Sequence, residues 1–182
     1  NHTNNSNNAN NQANNHKDVM GNTEDLLESL NNFDGVVVAI GDNSIRWNKI
    51  KLLQINNANL VSIVHPSAII SKDIDLGLGS VVFGGVVINS GSVIGVACIL
   101  NTSSVLTHDC KLGSAVHIAP SAVLCGNVKI SDFTWIGANA LVIEGIKITK
   151  KVIVGGGSVV IRNIEEEGTY VGNPIRRLPK DN

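Results

Sequence analysis

Leu100-Asn101-Thr102-Ser103-Ser104-Val105-Leu106-Thr107-His108-Asp109-Cys110-Lys111-Leu112-Gly113-Ser114-Ala115-Val116-His117-Ile118 is the stretch that decides the fold of this chain. Leu100, Leu106, Leu112 and Ile118 recur at every sixth position, and the series extends both ways, from Val64 to Val160, with an aliphatic residue at each step. A helix repeats its buried face about every 3.6 residues and a strand about every 2, so neither sustains a period of six over such a length. The period marks a repeat architecture. Four positions after each aliphatic residue stand mostly small or β-branched side chains, among them Cys98, Ser104, Cys110, Val116 and Ala122. Both positions therefore face a narrow interior. Strands of about five or six residues with one corner per hexad close a triangular coil after three hexads, so residues eighteen apart stack in neighbouring coils and backbone hydrogen bonds run between coils. The glycines that directly follow an aliphatic residue, Gly77, Gly95, Gly113, Gly137 and Gly155, suit tight corners with unusual dihedrals.

The 182 residues are 43% hydrophobic but only 3% aromatic, so one core forms, built from Val, Ile, Leu and Ala in thin regular layers. A formal net charge of -1 without a run of Lys or Arg gives no footprint for nucleic acid or an anionic membrane. No apolar run reaches the roughly 18 residues of a membrane span, and no signal-like amino terminus is present, which points to a soluble cytoplasmic protein. Three cysteines without a CxxC pair agree with a reducing compartment, and their coil positions do not converge as zinc ligands would.

Four zones divide the chain. Residues 1–16 are an Asn-rich low-complexity lead-in to which no chemistry is assigned. Residues 17–62 read as a small α/β unit. In it Thr23 caps a helix with Glu24 and Asp25 in its first turn, Gly35 to Ile40 form a strand covered on both faces, a helix runs from about Ser44 to Leu53, and Leu60 to Val64 lead into the repeat. Gly41, Asp42 and Asn43, at the end of the first strand, fit either a ligand-binding turn or an ordinary one. Residues 63–164 hold the coil, and 165–182 close it.

These residues carry a family resemblance. Ile94-Gly95, Leu112-Gly113, Ile136-Gly137 and Val154-Gly155, with Gly172-Asn173-Pro174-Ile175-Arg176 at the end, resemble the hexapeptide-repeat acyltransferases. His65-Pro66-Ser67-Ala68, Asn101-Thr102-Ser103-Ser104, Thr107-His108-Asp109-Cys110, His117-Ile118-Ala119-Pro120 and Val38-Ala39-Ile40-Gly41-Asp42-Asn43 with Arg46 resemble, more narrowly, the sugar O- and N-acetyltransferases of the sialic-acid and bacillosamine pathways. The resemblance spans about residues 17–178. It implies a mainly β, left-handed parallel β-helix preceded by an incomplete α/β subdomain, acetyl-CoA as co-substrate, a sugar or nucleotide-sugar acceptor, no metal, and a homotrimer with active sites between subunits. Family members begin with a strand and a turn of the Gly-x-Gly-Gly-His-Gly type, where this chain has the Asn-rich tract. Either that segment is missing here or it has diverged.

The chemistry centres on His108. The eighteen-residue rule puts Gly126 one coil above it and Ser90 one coil below, a notch through which a thin chain such as pantetheine passes, with the Gly126 N–H available to a carbonyl. An attacking amine or hydroxyl must lose a proton, and imidazole is the side chain suited to accept it. Asp109 then fixes the tautomer, provided that the backbone bends between 108 and 109. By resemblance, His117 and Gly126 lie near the acetyl carbonyl and Asn101 near the acceptor. Stacking also allows His117 simply to pack against Trp135. Gly155 and Gly156 either admit the coenzyme or complete a corner, and Arg176 and Arg177 either meet its phosphates or stay solvated. The expected reaction is N-acetylation of a nucleotide-linked amino sugar, with O-acetylation of a sialic acid as the alternative. Two other classes share the fold: a γ-type carbonic anhydrase, which needs three histidines converging on zinc, and a non-catalytic structural β-helix.

Overall fold

The structure, a computed structural model, describes residues 19–179. The Asn-rich tract at 1–16 lies outside the described residues. From Ile63 to Val160 the chain winds as a left-handed parallel β-helix whose strands are two or three residues long. Successive strands enter three parallel sheets in turn, and each pairing joins residues eighteen apart: Ile99 with His117, Val105 with Val123, Lys111 with Lys129. Leu100, Leu106, Ile118, Leu124 and Ile136 are fully buried inside the coil, as the hexad period requires. Interior hydroxyls are bonded within the stack: Ser92 donates to the Thr107 carbonyl at 3.1 Å and accepts from the Cys110 N–H at 3.1 Å. Cys98 and Cys110 are buried, and burial pushes their thiols up to about 12 and about 11, which leaves them as packing groups.

Two local expectations are corrected. Strands occupy two residues of a hexad rather than five or six, because the third residue after each aliphatic one from Leu76 to Val154 takes left-handed backbone dihedrals and turns the chain: φ is 57° at Ser103, 60° at Asp109, 54° at Ala115 and 56° at Asn127. The glycines that follow the aliphatic residues are not these corner residues. Gly95 is needed because a β-carbon there would lie 2.4 Å from the Gly113 carbonyl oxygen one coil above, and the same clash at Gly77 would be 2.2 Å from Gly95. They serve close stacking.

The outer surfaces of the three sheets differ, and this positions the site. The first sheet presents Ile99, His117, Trp135 and Ile153 in one column. The second presents an aliphatic ladder, Val87, Val105, Val123, Leu141 and Val159. The third presents Lys111, Lys129 and Lys147, stacked in register. After the coil, Gly168–Val171 and Arg176–Arg177 extend the first sheet and end it with an antiparallel pair.

Ahead of the coil lie helices α1 (Thr23–Glu28) and α2 (Asn43–Ile55). The cap of α1 is Asn22, not Thr23: the Asn22 side chain accepts from the Glu24 and Asp25 N–H groups, and the Asp25 carboxylate accepts from the Asn22 N–H. Thr23 Oγ1 instead meets Lys49 Nζ at 2.8 Å. The expected strand at 35–40 is reduced to one bridge, Val36 to Leu60, where the Val36 N–H donates to the Asn59 carbonyl and the Val61 N–H to the Val36 carbonyl, and pairing goes no further among the described residues. Val36 and Val38 are buried all the same, packed with Ile50, Leu53 and Leu60 of the α2 region.

Candidate active site

His108 and Asp109 occupy the corner between the second and third sheets. Neighbouring residues of a strand point to opposite sides, but the left-handed dihedrals of Asp109 swing its carboxylate back, so Oδ2 lies 2.8 Å from His108 Nδ1. A carboxylate only accepts, so the ring carries a proton on Nδ1, and in its neutral form keeps the lone pair on Nε2. Both side chains are exposed, at 60% and 62%. Two glycines frame them. A β-carbon on Gly91 would meet Asp109 Oδ1 at 2.3 Å, and one on Gly126 would meet His108 Cε1 and Nε2 at 2.6 Å. The Gly126 N–H has no partner among the described residues, so the residue stacked over the His108 ring carries an unpaired donor.

A second cluster lies across the molecule. His117 starts a strand of the first sheet, is 5% exposed, and tilts against Trp135 with ring centroids 4.2 Å apart. Its Nε2 is 3.3 Å from Asn101 Nδ2, at the corner between the first and second sheets. Its Nδ1 is buried without a partner. Burial first, then the nearby positive charge of Arg46, push the His117 pKa down to about 4, while the Gly41 carbonyl pulls the other way.

Arg46 ties α2 to this cluster. Its Nε donates to Ala97 O at 2.8 Å, Nη1 to Ile40 O and Gly41 O at 2.9 and 2.8 Å, and Nη2 to Asn43 Oδ1 and Ala115 O at 2.7 and 3.2 Å. Asn43 Nδ2 in turn reaches the Phe133 and Thr134 carbonyls. Asp42 caps α2 by accepting from the Ile45 N–H at 2.8 Å. The turn at 41–43 is thus a built part of the fold, beside a groove lined by Ser44, Phe133, Trp135 and Lys151. The resemblance singled out Arg46 beside the 38–43 motif, but its burial and its bonds to three stretches of backbone were not legible beforehand, since arginine is mostly an exposed residue.

The predicted site residues therefore form two groups. His108, Asp109 and Gly126 line the edge between the second and third sheets. His117, Asn101, Gly41, Asp42 and Asn43 lie on the first sheet and its edge with the second, with Gly155 and Gly156 in the column above Asn101 and Thr102. The second sheet separates the groups within one chain. Arg177 is occupied by Glu166 and by the Glu167 carbonyl. Among the described residues, no three His, Cys, Asp or Glu side chains converge as metal ligands, and no helix is long and apolar enough to cross a membrane.

No protein-family model and no curated protein matches the chain. Solved structures do. PerB from Caulobacter crescentus, in complex with CoA and GDP-perosamine, is 36% identical over 85% of this chain and 75% of that chain, with a TM-score of 0.82. The acetyltransferase domain of PglB from Neisseria gonorrhoeae, in complex with acetyl coenzyme A, is 33% identical over 84% of this chain and 76% of that chain, at 0.80. WeeI from Acinetobacter baumannii AYE is 30% identical over 79% and 70%, at 0.76. At these identities and coverages, the chain belongs to the hexapeptide-repeat acyltransferases, in the group that holds perosamine N-acetyltransferase and the PglB acetyltransferase domain.

Proposed function

We propose that this protein transfers the acetyl group of acetyl-CoA to the amino group of a nucleotide-linked amino sugar, with His108 as general base. The observation that carries the reading is the His108 ring, oriented by Asp109 through Nδ1 and stacked beneath Gly126, whose N–H is unpaired among the described residues. In the reaction, the amine nitrogen bonds to the thioester carbonyl carbon while His108 Nε2 takes a proton from it. The Gly126 N–H faces the oxyanion that forms. Collapse breaks the C–S bond, and the imidazolium returns the proton to the departing thiolate of CoA. Asp109 stabilises the charged ring in between. No covalent acyl-enzyme is required.

The complexes of the similar proteins with CoA, acetyl coenzyme A and GDP-perosamine support these substrate classes. N-acetylation is preferred over O-acetylation of a sialic acid on the same grounds. A need for acetyl-CoA is in keeping with a cytoplasmic enzyme. No metal enters the mechanism, and the zinc-dependent alternative lacks a third converging histidine among the described residues.

The working unit is a homotrimer with the second sheet turned toward the threefold axis. Its aliphatic ladder is the face that association would cover, whereas the in-register lysines of the third sheet need solvent. Rotation then sets the first–second edge of one copy against the second–third edge of the next. His108 and Asp109 of one subunit and Asn101 and His117 of its neighbour share one cleft, along which Gly155 and Gly156 receive the coenzyme.

The test is acetyl-CoA consumption against UDP-amino sugars, GDP-amino sugars and sialic acids, with His108→Ala in parallel. Turnover with an amino sugar that the variant lacks is expected. Unchanged turnover in the variant would remove His108 from the mechanism, and turnover confined to a sialic acid would replace N- by O-acetylation.

A further inference from the structure

Arg46 is fully buried, yet among the described residues no carboxylate pairs with it; its N–H groups all end on carbonyls or on the Asn43 amide oxygen. Burying a cation costs several kcal/mol even after relaxation, a cost that simply docking a helix does not demand. The charge bears on His117 as well as on Cys98 and Asp42, and His117 is the one of these that stands beside Asn101. The Asn101 amide cannot be turned over, because its Oδ1 already accepts from the Thr102 N–H at 2.8 Å. Nδ2 therefore donates and His117 Nε2 accepts, which leaves the ring proton on the buried, unpartnered Nδ1. The Gly41 carbonyl, the backbone group that favours a protonated ring, also accepts from Arg46 at 2.8 Å.

We infer that Arg46 is a positioning residue of the acyl-transfer site: it holds His117 as a neutral acceptor, and His117 then fixes the Asn101 carboxamide with one amide hydrogen left for a substrate. The inference rests on the acetyltransferase reading for its consequence, but not for the state of the ring. Arg46 is the charged group on α2 that acts on His117, and Asp42 at the cap of that helix acts on Arg46. From the first sheet, the ring is flanked by the uncharged Ile99 and Trp135, with Asn101 at the sheet's edge.

The experiment is nitrogen-15 NMR of the histidine-labelled full chain, followed by kinetics. In the unmodified protein, His117 is expected as the Nδ1–H tautomer throughout pH 7 to 5; an Nε2–H ring, or a titration in the ordinary histidine range, overturns the inference. In Arg46→Met the titration rises by about one pH unit or more, and kcat at pH 6 falls on the order of 10²-fold with KM for acetyl-CoA within about twofold. Arg46→Lys, which keeps the charge, retains the neutral ring and recovers part of kcat. A folded Arg46→Met with an unmoved His117 titration also overturns it. Should Arg46→Met not fold, Asn101→Asp decides: a carboxylate at 101 must bring the proton to Nε2, and a ring still on Nδ1–H would sever the proposed link. Absence of acetyl transfer by the unmodified protein would refute the enzymatic reading while leaving the ring measurement to stand or fall alone.

Discussion

The imidazole of His108 lies directly beneath Gly126, so close that a β-carbon at 126 would stand 2.6 Å from both Cε1 and Nε2. The contact joins a proton acceptor and an unpaired backbone donor across one coil step, and it exists only because residue 126 has no side chain.

Gly126→Ala should therefore act on catalysis rather than on folding. The added methyl meets an exposed ring that can swing away, so the melting temperature stays within a few degrees, while kcat falls about 10²-fold as Nε2 leaves its place. Steady-state kinetics beside a thermal melt separate the two. Wild-type kcat in the variant would mean that Nε2 does no work at this position.

In the proposed mechanism Asp109 has two duties that substitution can divide. Asparagine tolerates the left-handed dihedrals and still accepts a hydrogen bond, but it lacks the charge that favours the imidazolium. Asp109→Asn should lower kcat about tenfold, a modest figure because both side chains face water. Equal kcat in Asp109→Asn and the unmodified protein would confine Asp109 to positioning.

If sites are shared between subunits, two inactive variants complement each other. His108→Ala and Asn101→Ala, unfolded and refolded together, should regain activity, because a site takes His108 from one chain and Asn101 from the next. Val123→Glu on the second sheet should give monomers by sedimentation and no turnover. A monomeric, fully active Val123→Glu would refute the shared site.

Stability should fall with acid in a window set by His117. Its folded pKa, about 4, lies below the unfolded value of roughly 6.5, so the unfolded chain binds the extra proton between these limits. The contribution is fully present above about pH 6.5 and is lost as pH drops toward 4, roughly 3 kcal/mol in all. His117→Gln should flatten that part of the profile, measured by urea denaturation at several pH values.

Gly95→Ala tests the stacking role of the glycines after the aliphatic residues. The methyl would press on the Gly113 backbone, which cannot rotate away, and a loss of about 3 kcal/mol is expected in the same denaturation assay. A loss below about 1 kcal/mol would show that the coils can separate locally.

The path from sequence to site was uneven. The order of stacking was legible because a hexad period permits one coil length, so Gly126 over His108 and Trp135 over His117 followed from counting. Corner geometry was less so. Left-handed dihedrals fell on Ser103, Ala115, Ser121 and Phe133, residues that do not announce them, since the closed coil imposes the turn on whichever side chain arrives there. The strand expected at 35–40 had the right residues but no ladder, because pairing needs a neighbour that composition alone does not supply.

What the sequence by itself determined was the coil, its register and the pairing of columns, because a strict aliphatic period leaves a parallel solenoid few alternatives. Only the tertiary structure decided that Arg46 is buried and bound to three stretches of backbone, and that the site residues divide between two edges of the second sheet. Two of these contacts join residues more than fifty positions apart, and all run to main-chain carbonyls, which every residue carries alike, so no side-chain pattern encodes them.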